Sequence, residues 1–538
     1  MQSAFFLDCE PSLTTLPFTP ADAPAFGQRR IGLIVAMLCI GQILLWSVLG
    51  GLNYTGPEID SAEQFVWAFS MENGYWKHPP LPSWIMHGLM QVFGPSVMLP
   101  LVAAQTSIVL ALALTWRLGC EFMSPARSLI AMALTSLVTY HNIGGDSFNH
   151  NTVLLPFQAA TLLLFYLASR RQMVHLWALA GLFAGLSMLV KYVALLPLVG
   201  LLVYFALDRS LHTRQSLRGL LLAFAAFAVV LVPHLLWLRA TNFLPFRYAQ
   251  GVTQELPGVL ATLRGLADFG LTQILRLLPF LLGLWLVVKS SRPALAAVAP
   301  TPAPTKPIAA NDRLFVWICA CAPLLITMAI GLVSETALQA RWGTNAFLLA
   351  GMLTMTLWRR ADDPATLRRC IQTVVAIQVL LCLGQTLGKT VVADHFQRPT
   401  RANFPGAALA QQARETWAAH SDVPLRLVVS DIWLGGNIIA NSPKRLAVLI
   451  DGHHFKSPWV RDEAVGRCGA LILDDTTPDA AGRAPPNSAL DALMARAEFT
   501  GSWTLPWSSP GLRVGTAERG TVRWGIILPH SAQPCEMR

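Results

Sequence analysis

Apolar runs long enough, or nearly long enough, to cross a bilayer recur along the whole front of this chain. They lie at roughly 31–52, 95–118, 128–143, 151–169, 174–190, 192–207, 219–238, 266–288, 314–333, 345–358 and 370–390. A hydrocarbon core takes about 20 residues of helix, and it holds no water to satisfy an open backbone, so each run is expected as a helix pairing its own N–H and C=O groups. The expected fold is therefore a polytopic α-helical membrane protein with about eleven spans. Composition agrees: 54% of the residues are hydrophobic and only 13% charged, which makes lipid the solvent for most of the surface.

The net charge of +10 raises nucleic acid as a partner, yet the cations are not gathered with aromatics on one face, so no nucleic acid is expected. They follow alternate connections instead: Arg29 and Arg30, Arg117 and Arg127, Arg170 and Arg171, Arg209 to Arg218, Lys289 to Arg313, and Arg359 to Arg369. Under the positive-inside rule these connections are cytoplasmic. That assignment makes residues 1–30 a cytoplasmic tail without a cleavable apolar leader, and 290–312 a Pro- and Ala-rich cytoplasmic linker. The first long loop, about 53–94, and residues 391–538 then fall on the far side, the periplasm of a bacterial inner membrane.

Past residue 391 hydropathy falls. "LRLVVSDIWLGG" (425–436), "RLAVLI" (445–450) and "GALILDD" (469–475) are short β-branched runs bounded by turn residues, as expected of strands in a small soluble α/β or α+β domain. Its "LGGN" turn at 434–437 is too short for a phosphate loop. The chain has nine cysteines. Cys39, Cys319, Cys321 and Cys382 fall in apolar runs, where a thiol is a small buried hydrophobe. Cys468 and Cys535 share the far-side domain and are candidates for a disulfide.

Chemistry-bearing residues cluster in the far-side loops. In "GPEIDSAEQFVWAF" (56–69), a helix over 60–72 would put Asp60, Glu63, Gln64 and Trp67 on one face, opposite Phe65, Val66 and Phe69, as in a helix lying in the membrane interface. Taken alone, Asp60 reads first as the solvated N-cap of this helix. "NGYWKHPPLPSW" (73–84) follows, with Pro79, Pro80 and Pro82 expected to end that helix and turn the chain back toward the membrane. "TYHNIGGDSFNHN" (139–151) carries Asp146, whose structural alternative is capping the next helix, with His150 at the headgroup level. "SMLVKYVALLPL" interrupts an apolar stretch with Lys191 and Tyr192. Lys191 either snorkels or binds phosphate as a point charge. Arg239 and Arg247 in "PHLLWLRATNFLPFRYAQ" (233–250) and Arg341 in "ALQARWGTNAF" (337–347) place cations on the far side against the topogenic bias, so another role is expected of them.

In this order, the motifs "IDSAEQFVWAFSMENGYWKHPPLPSW", "GGDSFNHN", "GLSMLVKY" and "PHLLWLRATNFLPFRYAQ" resemble those of the integral-membrane GT-C glycosyltransferases. The likeness is to the bacterial family 39-like proteins of the ArnT and RgtA type, related to protein O-mannosyltransferases, and it covers roughly residues 30 to 390. Relatives often carry Asp-Glu where this chain has Asp60-Ser61, and His-Trp where it has Arg341-Trp342. The resemblance implies transfer of a sugar from a polyprenyl-phosphate carrier to a glycolipid, glycan or protein acceptor at the external membrane face, normally with inversion. It casts Asp60 as general base and Asp146 as a second catalytic carboxylate that positions polar groups. Lys191, Arg239 and Arg341 become phosphate ligands, and Glu63, Tyr75, Trp76, Lys77, His78 and Tyr192 line the sugar and acceptor site. With an ionised phosphate as acceptor, Asp60 would instead orient the sugar or hold a divalent cation; no other cofactor is expected. The rival reading is a transporter or lipid flippase, which would show inverted repeats and midplane charges. The sequence shows neither.

Overall fold

The computed structural model describes residues 28–52, 54–290, 308–358, 364–396, 400–443, 445–476, 488–506, 519–530, 535 and 537. Most of the 290–312 linker and of the 1–30 tail lie outside the described residues. Chain order runs α1 (Gln28–Leu44), α2 (Ile59–Trp67), α3 (Leu81–Phe93), α4 (Met98–Gly119), α5 (Pro125–Thr135), α6 (His150–Arg171), α7 (Val174–Val190), α8 (Leu195–Leu207), α9 (Arg214–Ala240), α10 (Leu244–Val252), α11 (Val259–Ser290), α12 (Ala310–Val333), α13 (Ala350–Leu357) and α14 (Pro364–Leu387). Among the described residues, seven helices are long and apolar enough to span a membrane: Arg29–Leu49, Met98–Gly119, His150–Arg171, Arg214–Ala240, Val259–Ser290, Ala310–Val333 and Pro364–Val392. The remaining expected spans are shorter helices. In the 128–143 run the α-helix stops at Thr135 and gives way to 3-10 turns, and in the 345–358 run only Ala350–Leu357 is α-helical.

The chain divides into two compact units. One comprises residues up to 45, 105–145 and 150–382; the other comprises 46–104, 146–149 and 383 onward. In the first, the helical unit, α6 packs on α7 and α7 on α9, while α5 carries α13 and α8 carries α12. Small residues set these approaches. A β-carbon at Gly181 would lie 2.0 Å from the Ala223 carbonyl oxygen, and one at Gly351 1.9 Å from that of Ala131, so backbones touch where side chains would hold them apart. At one end of the bundle Arg170 ties three helix termini, donating to Asp312 (2.8 Å) and to the Tyr204 hydroxyl (3.0 Å), with Asp208 3.6 Å away.

The second, sheet-bearing unit adds α15 (Ala393–His395), α16 (Gly406–His420), α17 (Ile432–Ala440), α18 (Ala464–Cys468) and α19 (Ser488–Met494) to five strands: β1 (Leu427–Ser430), β2 (Ala447–Ile450), β3 (Ala470–Asp475), β4 (Phe499–Pro506) and β5 (Arg519–Ile527). The strand order is β2-β1-β3-β5-β4, with β2, β1 and β3 parallel and β5 and β4 antiparallel additions. β1 and β2 are buried along their whole length, as parallel strands covered on both faces are. The expected strand over 425–436 ends at Ser430. The Asp431 side chain accepts from the Leu434 N–H at 2.7 Å, which caps a helix, so the "LGGN" stretch is the body of α17 and not a turn.

α2 also departs from the sequence expectation. It spans Ile59–Trp67, and every residue from Ser61 to Trp67 is buried, so it is no interfacial helix with a wet polar face. It packs on α17, where a β-carbon on Gly436 would fall 2.5 Å from the Ala62 β-carbon. The prolines of the first loop likewise open α3, with Pro80 at its N-cap position and Pro82 in its first turn. α2 has already stopped at Trp67.

Candidate active site

Asp60 stands half-buried in the first turn of α2, where the helix dipole favours a carboxylate. It is not the cap. Glu58 occupies that position in extended conformation (φ −64°, ψ 155°) and makes no side-chain cap bond, because its carboxylate accepts from Lys389 Nζ at 3.2 Å. Lys389 sits in the π-turn Gly388–Val392 that continues α14. The same ammonium donates to Asp146 Oδ2 at 2.7 Å and to the Tyr54 hydroxyl oxygen. Asp146 Oδ2 further accepts from the Tyr54 hydroxyl (2.9 Å) and from Gln385 Nε2 (3.2 Å). Side-chain exposures of 28%, 23% and 18% for Lys389, Asp146 and Glu58 make this a partly desolvated cluster of two carboxylates around one cation. Burial pushes the Glu58 carboxyl above its ordinary range, Asp146 adds to that, and Lys389 opposes it. Burial, then the same two carboxylates, push the Tyr54 phenol up, so it remains a donor at neutral pH.

Asp146 is held beside the start of α2 by its own neighbours. The Phe148 N–H donates to Ser61 Oγ at 3.0 Å, and Ser147 Oγ lies 3.3 Å from the same oxygen. Ser61, which stands where relatives often have Glu, is thus a buried link between the two acidic loops.

One turn along α2, Glu63 accepts from Lys77 Nζ at 2.6 Å. Trp67 stacks on Tyr75 with ring centroids 4.7 Å apart and planes 2° from parallel, and His78 meets Trp67 edge-on at 6.3 Å. Tyr75 is 2% exposed, and its hydroxyl donates to the carbonyls of Trp67 (3.1 Å) and Ser70 (2.6 Å) at the end of α2. Tyr75 and His78 exchange backbone hydrogen bonds of 3.0 and 3.2 Å. "YWKH" is therefore a closed turn with Trp76 and Lys77 at its tip. Tyr75 is the support behind this wall and not part of its face.

Within the helical unit, Lys191 follows the last residue of α7 and donates from Nζ to Asn151 Oδ1 at 2.5 Å. The hydroxyl of Tyr192 lies 2.9 Å from His234 Nε2, and its ring stacks on Phe246 at 4.9 Å. Arg239 is exposed in the last turn of α9. Arg341 is exposed in the 3-10 segment Ala340–Phe347, its Nε donating to Gln339 Oε1 at 3.0 Å. His150 is buried at the start of α6, and His141 is a core residue with Nδ1 2.8 Å from the Thr135 carbonyl. Among the described residues no group of three or more His, Cys, Asp or Glu side chains is arranged to hold a metal.

The profile of the dolichyl-phosphate-mannose-protein mannosyltransferase family matches residues 77–237. The lipid A galacturonosyltransferase RgtD of Rhizobium johnstonii is 24% identical over 411 residues, covering 71% of this chain and 78% of that protein. The lipopolysaccharide core galacturonosyltransferase RgtB of the same organism is 26% identical over 216 residues, 39% of this chain and 43% of that one. In structure, ArnT from Cupriavidus metallidurans, crystallised with undecaprenyl phosphate, gives a TM-score of 0.53 at 13% identity, covering 91% of this chain and 97% of that chain. Profile, sugar-transferring relatives and fold agree. The chain has the GT-C fold and is similar to membrane glycosyltransferases.

Lys389, Tyr54 and Gln385 are the components of this cluster that motif reading passes over, whereas Glu58 stands out in the sequence as a carboxylate near Asp60. Lys389 closes the 370–390 apolar run with a cation, as Lys191 interrupts its own apolar stretch. Tyr54 and Gln385 carry no comparable signal, since a tyrosine or glutamine at the end of a span is ordinary interfacial chemistry.

Proposed function

We propose that this chain is a glycosyltransferase that moves a sugar from a polyprenyl-phosphate carrier to a glycolipid of the bacterial envelope, at the periplasmic face of the inner membrane and with inversion at the anomeric carbon. The acceptor hydroxyl attacks the anomeric carbon, the new C–O bond forms as the bond to the phosphate oxygen breaks, and polyprenyl phosphate leaves. Asp60 takes the hydroxyl proton. Asp146, engaged by Lys389, Tyr54 and Gln385, is a fixed acceptor that orients polar groups. The resemblance keeps Lys191, Arg239 and Arg341 as the cations for a departing phosphate, whose developing charge a cation answers.

The observation that carries this reading is the placement of Asp60. It occupies the first turn of a buried nine-residue helix whose start is pinned by Glu58 to Lys389 and by Ser61 to the Asp146 loop. Pre-organisation of this kind is what a general base requires. The relatives act on lipid A and lipopolysaccharide core, which makes a uronic sugar the first donor to try. The test is transfer of labelled uronic acid from its polyprenyl phosphate by purified protein to isolated lipopolysaccharide. Asp60→Asn is expected to fold normally and to lose roughly 10² to 10⁴ in kcat. Full activity of that variant removes Asp60 from the mechanism.

A further inference from the structure

Beyond β2 the chain of the sheet-bearing unit reverses through Asp451 (φ 52°) and Gly452 (φ 74°), left-handed positions that Asp and Gly tolerate better than other residues. The reversal presents "HHFK", residues 453–456, to the first-loop turn of the same unit. Phe455 meets Trp76 edge-on at 6.4 Å, with planes 86° apart. Lys456 Nζ lies 5.0 Å from the centroid of Trp76, and Lys77 Nζ lies 4.7 Å from the same ring. Each ammonium is also held by a carboxylate: Lys456 by Asp451 at 2.7 Å, Lys77 by Glu63 at 2.6 Å. Phe455 is 53% exposed, whereas Trp459, four residues on, is fully buried. The loop keeps one aromatic for its own core and turns the other outward.

We infer that Trp76, Lys77, Phe455 and Lys456 form a saccharide subsite, and that its occupant is a sugar ring of the acceptor glycan. A pyranose has an apolar C–H face and a rim of hydroxyls. The exposed Phe455 ring, braced edge-on by Trp76, offers the first a flat apolar partner, and the two ion pairs offer the second fixed donors and acceptors. Two cations against two carboxylates leave the patch close to neutral, which fits a hydroxylated ligand better than a free polyanion. Glu63 lies one turn after Asp60 on α2, so a sugar seated here is next to the proposed base. The base takes its proton from the acceptor hydroxyl, which makes the occupant acceptor and not donor. Residues 451–456 lie beyond the 77–237 segment matched by the family profile, so they add a specificity element from the C-terminal part of the chain.

This inference rests on the transferase reading above, and the experiment separates the two. Full-length protein in nanodiscs carrying Phe455→Ala or Lys456→Met is assayed against varied acceptor and varied polyprenyl-phosphate sugar. The acceptor KM is expected to rise about tenfold, with the donor KM unchanged within about twofold, and Phe455→Trp is expected to restore the acceptor KM. An unchanged acceptor KM, or a change confined to the donor, overturns the subsite. Should the wild type transfer no sugar, the function falls, but binding still decides this inference. Deacylated lipopolysaccharide core oligosaccharide, titrated into unliganded protein, should quench tryptophan fluorescence saturably in the wild type and far more weakly in Phe455→Ala. No saturable quenching, or equal quenching in both, overturns it.

Discussion

Lys389 is the residue whose charge organises the acidic half of the site. With Glu58 on one side and Asp146 on the other, one ammonium balances two carboxylates and fixes the entrance to α2. Removing it leaves both acids partly buried with no counter-charge, and the helix start is free to shift. Misplacement by about 1 Å can cost roughly 10²-fold in rate. Lys389→Met is therefore expected to lower kcat by about that factor, and Lys389→Arg, which keeps the charge, to recover most of it. A structural role alone would let Met and Arg behave alike once both variants fold, so a matched pair of kcat values withdraws Lys389 from positioning Asp60.

Among elements, α17 explains why a pair of glycines sits in a helix where propensity disfavours them by about 1 kcal/mol each. Gly436 faces Ala62 of α2 with no room for a β-carbon, which would stand 2.5 Å from the Ala62 β-carbon and 2.7 Å from its α-carbon and carbonyl oxygen. Backbone cannot swing aside as a side chain can, so Gly436→Val should force α2 outward, cost about 1–3 kcal/mol and lower kcat through Asp60. A thermal unfolding curve and a kcat measured on the same preparation check both. The cap of α17 gives a second expectation at this scale. Burial, with smaller contributions from Asp451, Asp475 and Asp474, pushes the Asp431 carboxyl from 3.8 up to about 7, against the Leu434 N–H that favours its charge. A folded pKa above the unfolded one means stability that is present at acid pH and lost as pH rises through about 7. The wild-type melting temperature should thus fall more between pH 5 and pH 8 than that of Asp431→Asn, whose amide still caps; identical profiles would count against the cap as a titrating group.

These elements also mark how far the sequence can be read. The apolar runs predicted helices correctly because lipid leaves the backbone no alternative, and "RLAVLI" and "GALILDD" became strands because β-branched runs bury both faces of a parallel sheet. α2 differs from the interfacial expectation: its alternation of Asp60, Glu63 and Gln64 with aromatics looks amphipathic, but Glu63 and the Gln64 side-chain oxygen are met inside the protein by Lys77 and Ser83. That satisfaction comes from residues 14 and 19 positions away and has no local signature. The Asp60 and Asp146 motifs were legible as chemistry, whereas the Lys389 link spans 243 residues to Asp146, a separation that no periodicity reports.

At the scale of the whole chain, the Cys468–Cys535 pair offers a test of which side of the membrane carries the sheet-bearing unit. Cys468 and Cys535 are joined across 67 residues of sequence and Cys120 is also disulfide-bonded, while Cys39, Cys319, Cys321, Cys370 and Cys382 are thiols. Closing a loop of that length restricts the unfolded chain by about 4 kcal/mol in the entropic account, and the bond persists only in an oxidising compartment. The positive-inside pattern independently gives a periplasmic expectation for residues 391–538. If the sheet-bearing unit is periplasmic, a maleimide-polymer reagent applied to denatured protein from growing cells should shift the Cys468→Ser variant by one adduct relative to the wild type before reduction, because Cys535 has lost its partner. After reduction the wild type should gain two adducts at these positions. A C-terminal alkaline phosphatase fusion should be active, and a strain without its periplasmic disulfide oxidase should accumulate less protein. Wild-type protein in which Cys468 and Cys535 both label before reduction, together with an inactive fusion, would place the unit in the cytoplasm. Asp60 would then lie on the wrong side for a glycan assembled outside the cell.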